Sequence, residues 1–248
     1  MLFAFEYALS ELWRSWGVIP DYVMGHSVGE YTAACVAGVF DFRTGLKIIA
    51  ERGRLMQSLP TGGKMAAAKT DGGSLQKAIE ASEISGVQVA AYNGPKSSVM
   101  AGTEEAVAAM CQQLKDQGIA TKELVVSHAF HSHLMDSILD PFEEFVQQYP
   151  LQRPITPLVS NLSGDLAGSE IMDAEYWRKH IRQPVAFDPG CSLGRALRLH
   201  VCVECALCVT AQQLEPGPGD GVVAGENGER AGVARARASA GTHRNRRS

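Results

Sequence analysis

Ser27 stands in the run Gly25-His26-Ser27-Val28-Gly29. In a glycine–x–serine–x–glycine spacing, a strand turns sharply into a helix and lifts the serine hydroxyl clear of the backbone. The flanks suit that context, because "YVMGH" is apolar enough for a short buried strand and Val28 to Phe40 is alanine-rich with helical spacing. The glycines leave room for the turn, and the helix start points N–H groups toward the serine. A serine hydroxyl is a weak nucleophile at neutral pH and needs a base. His26 adjoins Ser27, but such a turn directs neighbouring side chains apart. His128, His131 and His133 cluster in "VSHAFHSHLMD", and one of them is the expected base. Spacing alone does not choose among the three. No carboxylate between Ser27 and His131 stands out at a strand end, so a serine–histidine dyad oriented by a backbone carbonyl suffices. Arg52 and Arg54 lie in "AERGRLMQ". An arginine facing the pocket would bind a carboxylate through two parallel hydrogen bonds, whereas one facing outward is merely solvated, and the residues alone favour the second.

The elements that must position these groups follow from periodicity and turn chemistry. Helices are expected over 2–16, 28–37, 42–57, 73–82, 103–118, 132–148 and 173–181, with Thr103 capping the fifth and Gly118 stopping it. Leu2, Phe5, Leu9, Leu12, Trp13 and Trp16 repeat at three and four and predict a core-facing stripe on the first helix. Strands are expected over 22–26, 64–70, 87–93, 97–102, 120–127 and 154–161. From 64 to 127 the order is strand, helix, strand, strand, helix, strand, the split βαβ pattern of a ferredoxin-like unit. The fold class is therefore α/β: a hydrolase-like parallel sheet with helices on both faces and an inserted ferredoxin-like subdomain. The core comprises 1–61 and 125–187, and the insert 62–124.

Composition narrows the classes. The chain has 248 residues, 45% hydrophobic and 20% charged, with a net charge of −4. That is ordinary for a globular protein and gives no reason to propose nucleic acid or a membrane as partner. The apolar N-terminus is interrupted by Glu6 and Glu11 and does not read as a signal peptide, so the expected setting is cytoplasmic. Cys191, Cys202, Cys205 and Cys208 crowd together, and "CVECALC" has C-x-x-C spacing twice. No histidine–cysteine knuckle accompanies it, so no metal site is assigned. After Phe187 there is no aromatic residue and no lysine. Residues 188–248 are expected to be a disordered or aberrant tail.

"GHSVGEYTAACVAGVF", "AERGRLMQ", "AAYNGPKSSVMAG", "SHAFHSHLMD", "PLVSNLSG" and "YWRKHIRQPVAF" occur together and in order. In this the chain, over residues 1 to about 187, resembles the acyltransferase domains of type I polyketide synthases, relatives of malonyl-CoA:acyl-carrier-protein transacylases. The resemblance implies that Ser27 takes an acyl group from acyl-CoA and yields it to the phosphopantetheine thiol of an acyl carrier protein. It picks out His131 as the base and Arg52 as the cation for the free carboxylate of malonyl. It implies an oxyanion donor in the Val28 N–H, and places His26, Asn93, His128 and Phe130 around the substrate. His128-Ala129-Phe130-His131 matches the tetrad of malonyl-selective members, where methylmalonyl enzymes read Tyr-Ala-Ser-His. The bulk of Phe130 leaves less room for an extra methyl.

The implied substrate is malonyl-CoA, with no bound cofactor. The implied partners are the carrier protein and other polyketide synthase domains, in polyketide or fatty acid biosynthesis. Relatives carry a Gly-Gln-Gly strand upstream of the first helix and a covering strand with a "GP-H" segment at the end. This sequence shows neither, so it reads as an acyltransferase lacking both ends. Two alternatives stand beside that reading: an inactive truncated fragment, and a serine hydrolase or thioesterase. A hydrolase would need no arginine in the pocket.

Overall fold

A computed structural model describes residues 1–196, and the side chains of 1–194. Its elements are α1 (Leu2–Ser15), β1 (Val23–Met24), α2 (Gly29–Ala37), α3 (Phe42–Gln57), β2 (Gly63–Ala68), α4 (Gly72–Glu80), β3 (Val87–Gly94), β4 (Ser97–Thr103), α5 (Glu104–Asp116), β5 (Thr121–Glu123), α6 (Leu139–Val146), β6 (Leu158–Val159), α7 (Ala174–Arg182) and α8 (Phe187–Ala196). Among the described residues the parallel sheet has two strands, β1 and β6, with Val23 opposite Leu158 and Met24 opposite Val159. The other sheet is antiparallel, in the order β3-β4-β2-β5. Numbered within the insert, that order is 2-3-1-4, the arrangement of a ferredoxin-like unit, with α4 and α5 as its two helices.

Strand alternation divides the antiparallel sheet between two cores. Ala66, Ala68, Val87, Val89 and Met100 pack against Leu75 of α4 and Val107, Met110 and Leu114 of α5. Met65, Ala67, Ala90, Val99 and Ala101 face the other way, toward Leu124, Ala129 and Val185. The second face joins the insert to the rest of the molecule. A third core, with Tyr31, Ile48, Phe142 and Trp177, lies among α1, α2, α3, α6 and α7.

Several boundaries depart from the sequence reading, each for a local reason. The strand expected over 154–161 is reduced to β6, because Pro154 and Pro157 cannot donate to a ladder. The Pro157 carbonyl instead accepts the N–H of Val23 at 2.9 Å. The helix expected over 132–148 is split into a 3-10 helix at His133–Ile138 and α6. Pro141 has no N–H for the carbonyl one turn back, and the α-helix begins just before it. The strand expected over 120–127 ends at Glu123, after which the chain leaves the sheet and crosses the start of β2. Gly63 allows that crossing, since a Cβ there would stand 2.8 Å from the Cβ of Ala129.

The first helix is turned one residue from expectation. Phe3 and Glu6 are buried, while Phe5 and Trp16 of the predicted stripe are 54% and 64% exposed. Phe3 and Tyr7 pack on Phe42, and the Thr32 hydroxyl donates to the Glu6 carboxylate at 2.7 Å. That hydrogen bond makes burial of an acid tolerable, and burial raises the pKa of Glu6 from its usual 4.5. The residues after Phe187 open as a helix, α8, where the sequence reading places the start of a disordered tail. Cys202, Cys205 and Cys208 lie outside the described residues. Among the described residues no helix is long and apolar enough to cross a membrane, and no three His, Cys, Asp or Glu side chains are grouped to hold a metal ion.

Candidate active site

Strand β1 runs into α2 through Gly25–Val28, and Ser27 sits at the turn with φ +50°. This is left-handed backbone, uncommon for a residue with a side chain. Gly25 is what the turn requires: a Cβ there would lie 2.1 Å from the carbonyl carbon of Gly29. Gly29 is not needed sterically, since a Cβ on it would meet nothing nearer than Glu6 Oε1 at 3.9 Å. The N–H groups of Gly29, Glu30 and Tyr31 close the turn on the carbonyls of His26, Ser27 and Val28. The Val28 N–H takes no part in these bonds.

His131 also has left-handed backbone, at φ +56°. Its Nε2 is 2.7 Å from Ser27 Oγ, and its Nδ1 is 2.9 Å from the carbonyl oxygen of Gln183. A carbonyl can only accept, so Nδ1 carries the proton and Nε2 presents its lone pair to the serine hydroxyl. The availability of that carbonyl follows from the sequence. Gln183 precedes Pro184, which disfavours helical geometry for it, and α7 stops with Gln183 extended at ψ 158°. Val185 then adds to the edge of β3, donating to Ala90 O at 2.9 Å and accepting from Tyr92 N–H at 2.8 Å. Burial holds the pKa of His131 well below its usual 6.5, and the neighbouring His180, Arg52 and His26 push it the same way. The imidazole is therefore neutral, the form a general base requires.

His26 Nε2 and Asn93 Oδ1 are 2.8 Å apart, so these two engage each other across the insert. Burial lowers the pKa of His26, and its ring meets Phe187 edge-on. Buried His128 reaches the carbonyl of Leu59 at 3.3 Å, and half-buried Phe130 lies beside it. Arg52, unlike exposed Arg54, points inward. Arg54 pairs with Glu51 at 2.6 Å, whereas Arg52 is buried with its guanidinium 5.6 Å from the ring centre of Tyr31. Its Nε and the Tyr31 hydroxyl have no hydrogen-bond partner, and among the described residues no carboxylate pairs with it. Arginine keeps its charge even when buried, so this is a cation in want of an anion. His133 begins the 3-10 helix, and it is His131 that the structure brings to Ser27.

Asn161 and Glu30 do not stand out in the sequence. Asn161 Oδ1 accepts the Ser27 N–H at 2.7 Å, and its Nδ2 donates to Gly25 O at 2.6 Å. The backbone N–H of Asn161 in turn donates to Glu30 Oε2 at 2.9 Å. Glu30 is fully buried, its Oε1 accepts from the Tyr176 hydroxyl, and His180 Nε2 lies 3.2 Å from Oε2. With the Tyr176 proton directed to Glu30, the Ser160 hydroxyl donates to Tyr176 at 2.7 Å. An asparagine just after a strand facing the nucleophile's strand is the available signal, and loop asparagines are too common for it to draw notice.

The chain is similar to known proteins over most of its length. Residues 1–221 match the family model described as the acyl transferase domain, a match that runs past Phe187, where the quoted motifs end. The chain is 43% identical to mycoketide-CoA synthase of Mycobacterium tuberculosis over 223 residues, 90% of this chain and 5% of that protein. It is 44% identical to polyketide synthase GfsA of Streptomyces halstedii over 186 residues, 75% of this chain and 2% of that protein. Among solved structures, the acyltransferase domain from the second module of the salinomycin polyketide synthase is 41% identical with a TM-score of 0.74, over 78% of this chain and 45% of that one. FabD from Acinetobacter baumannii is 27% identical with a TM-score of 0.78, over 83% of this chain and 68% of that one.

Two outcomes follow from the site. A neutral, low-pKa His131 keeps the reaction of Ser27 with a fluorophosphonate at its plateau down through pH 6.5, falling only below. A half-maximal rate at or above that pH in a stopped-time labelling profile contradicts the assignment. Asn161→Ala removes the acceptor for Ser27 N–H and the donor to Gly25. It should slow the same labelling on the order of tenfold or more, with a stability loss of about 1–3 kcal/mol for the unsatisfied groups in urea unfolding.

Proposed function

Because the chain belongs to the acyl transferase domain family, we propose that it moves a malonyl group from malonyl-CoA to the phosphopantetheine thiol of an acyl carrier protein, through an ester on Ser27. The observation that carries this reading is the buried, unpaired Arg52, whose charge is felt at His131. In the first half-reaction Ser27 Oγ attacks the thioester carbonyl carbon while its proton passes to His131 Nε2. The Val28 N–H stabilises the negative oxygen that forms. The C–S bond then breaks, and His131 returns the proton to the departing CoA sulfur. In the second half-reaction the carrier thiol gives its proton to His131 and attacks the ester carbon. Ser27 Oγ leaves and recovers that proton. The net change exchanges one thioester for another and consumes no water.

Arg52 would take the free carboxylate of the malonyl group in two parallel hydrogen bonds. An acetyl group would leave that cation buried and unpaired, which sites of this kind reject strongly. Phe130, beside the base, would limit what the α-carbon can carry. A hydrolase would have no use for the buried arginine. The curated relatives are far longer synthases, of which the chain spans 5% and 2%, and the carrier protein and neighbouring synthase domains are partners inferred from that setting.

The test is a competition between malonyl-CoA and acetyl-CoA for acylation of the chain. Arg52→Ala should lower kcat/KM for malonyl on the order of 100-fold, about what losing one side of a buried charge-assisted pair costs. It should leave acetyl loading little changed. An unaltered malonyl-to-acetyl ratio would show that Arg52 does not meet the acyl group.

A further inference from the structure

On β3 the side chains of Val87 and Val89 enter the core beneath α4 and α5, so Gln88 projects from the opposite face, with Ala90, toward the segment that carries the base. There it meets His131 from a distance of 43 residues in the chain. Gln88 Nε2 donates to the His131 carbonyl at 3.1 Å, and Gln88 Oε1 accepts the N–H of His133 at 3.2 Å. One primary amide thus binds two successive peptide units on either side of Ser132. Only this orientation of the amide satisfies both, since a carbonyl must be given a donor and an N–H an acceptor.

The two peptide units belong to a strained stretch. His131 holds left-handed backbone, a conformation that persists in a residue with a side chain only where its surroundings over-determine it. Ser132 contributes from within the turn, donating through Oγ to Ala129 O at 2.6 Å and accepting the Leu134 N–H at 3.3 Å. The Gln183 carbonyl fixes the ring but not the backbone. Gln88 is the side chain from another element that fixes the backbone of the base.

We propose that Gln88 is a positioning residue: the ferredoxin-like insert uses its amide to clamp the His131 backbone, and so sets the direction from which the imidazole meets Ser27. This rests on Ser27 and His131 acting as the reacting pair. It also gives the insert a part in the chemistry beyond covering the core, because the clamp moves with β3.

The experiment follows the rate of covalent labelling of Ser27 by a fluorophosphonate, with no acyl-CoA present, in the full chain and in Gln88→Ala and Gln88→Glu. Glutamate keeps the shape and the acceptor for His133 N–H but sets a carboxylate oxygen against the His131 carbonyl. Both variants should label about tenfold or more slowly, at temperatures where circular dichroism shows them fully folded. A purely packing role would spare Gln88→Glu, so a normal rate in that variant overturns the clamp. A loss that merely follows the folded fraction overturns it as well. Absence of labelling in the unaltered chain, or labelling that survives Ser27→Ala, would remove the reacting pair and the clamp with it. Normal labelling without malonyl transfer would count against the proposed substrate alone.

Discussion

Left-handed backbone at Ser27 and His131 is the constraint on which the geometry of the site depends. Among the described residues, Ser27 and His131 are the non-glycine residues with positive φ, at +50° and +56°. Each such residue costs on the order of 1–3 kcal/mol, and it persists only where neighbours leave no alternative. The surroundings supply that coercion separately on each side. At Ser27, the missing Cβ of Gly25 lets α2 start against the strand, and Asn161 grips the peptide from the end of β6. At His131, Gly63 lets the preceding segment cross β2, and Ser132 and Gln88 pin the turn.

The same logic explains a buried acid. Glu30 lies in the first turn of α2, where a carboxylate is favoured by the helix dipole. Its oxygens are met by the Tyr176 hydroxyl and the Asn161 N–H, with His180 close by. A buried carboxylate is tolerable only with its acceptors used, and here the groups that use them come from the end of β6 and from α7. The acid therefore ties α2 to the strand end that bears Asn161. It also ties it to α7, whose end delivers the Gln183 carbonyl to His131. Outside, Arg178 and Arg182 of α7 pair with Asp140 and Asp136, exposed bonds of small individual worth. The buried contacts hold the geometry.

Much of this is legible in the amino-acid sequence. The elbow announces itself through glycine spacing between an apolar run and an alanine-rich helix. The ferredoxin-like order is readable because its elements are amphipathic and punctuated by caps such as Thr103, whose hydroxyl accepts the Ala106 N–H at 3.3 Å. What stays hidden depends on pairing at long range. Arg52 and Arg54 are two apart on one helix, and periodicity cannot say which faces a pocket; the family resemblance alone singles out Arg52. Asn161 and Gln88 act through backbone groups, which leave no residue-type signature. Hydropathy misplaces the face of α1 because it sets Glu6 outside, whereas Thr32 lets it in. Composition sets residues 188–196 apart because they carry no aromatic residue, the feature that marks order upstream, yet they form part of α8.

The proposed transfer requires Ser27 to carry the acyl group between two thiols. The direct measurement is peptide mass spectrometry of the chain after brief exposure to malonyl-CoA, followed by addition of free pantetheine. A malonyl adduct is expected on the peptide containing Ser27, absent from Ser27→Ala and discharged onto the added thiol. An adduct on another residue, or one that persists in Ser27→Ala, would contradict it.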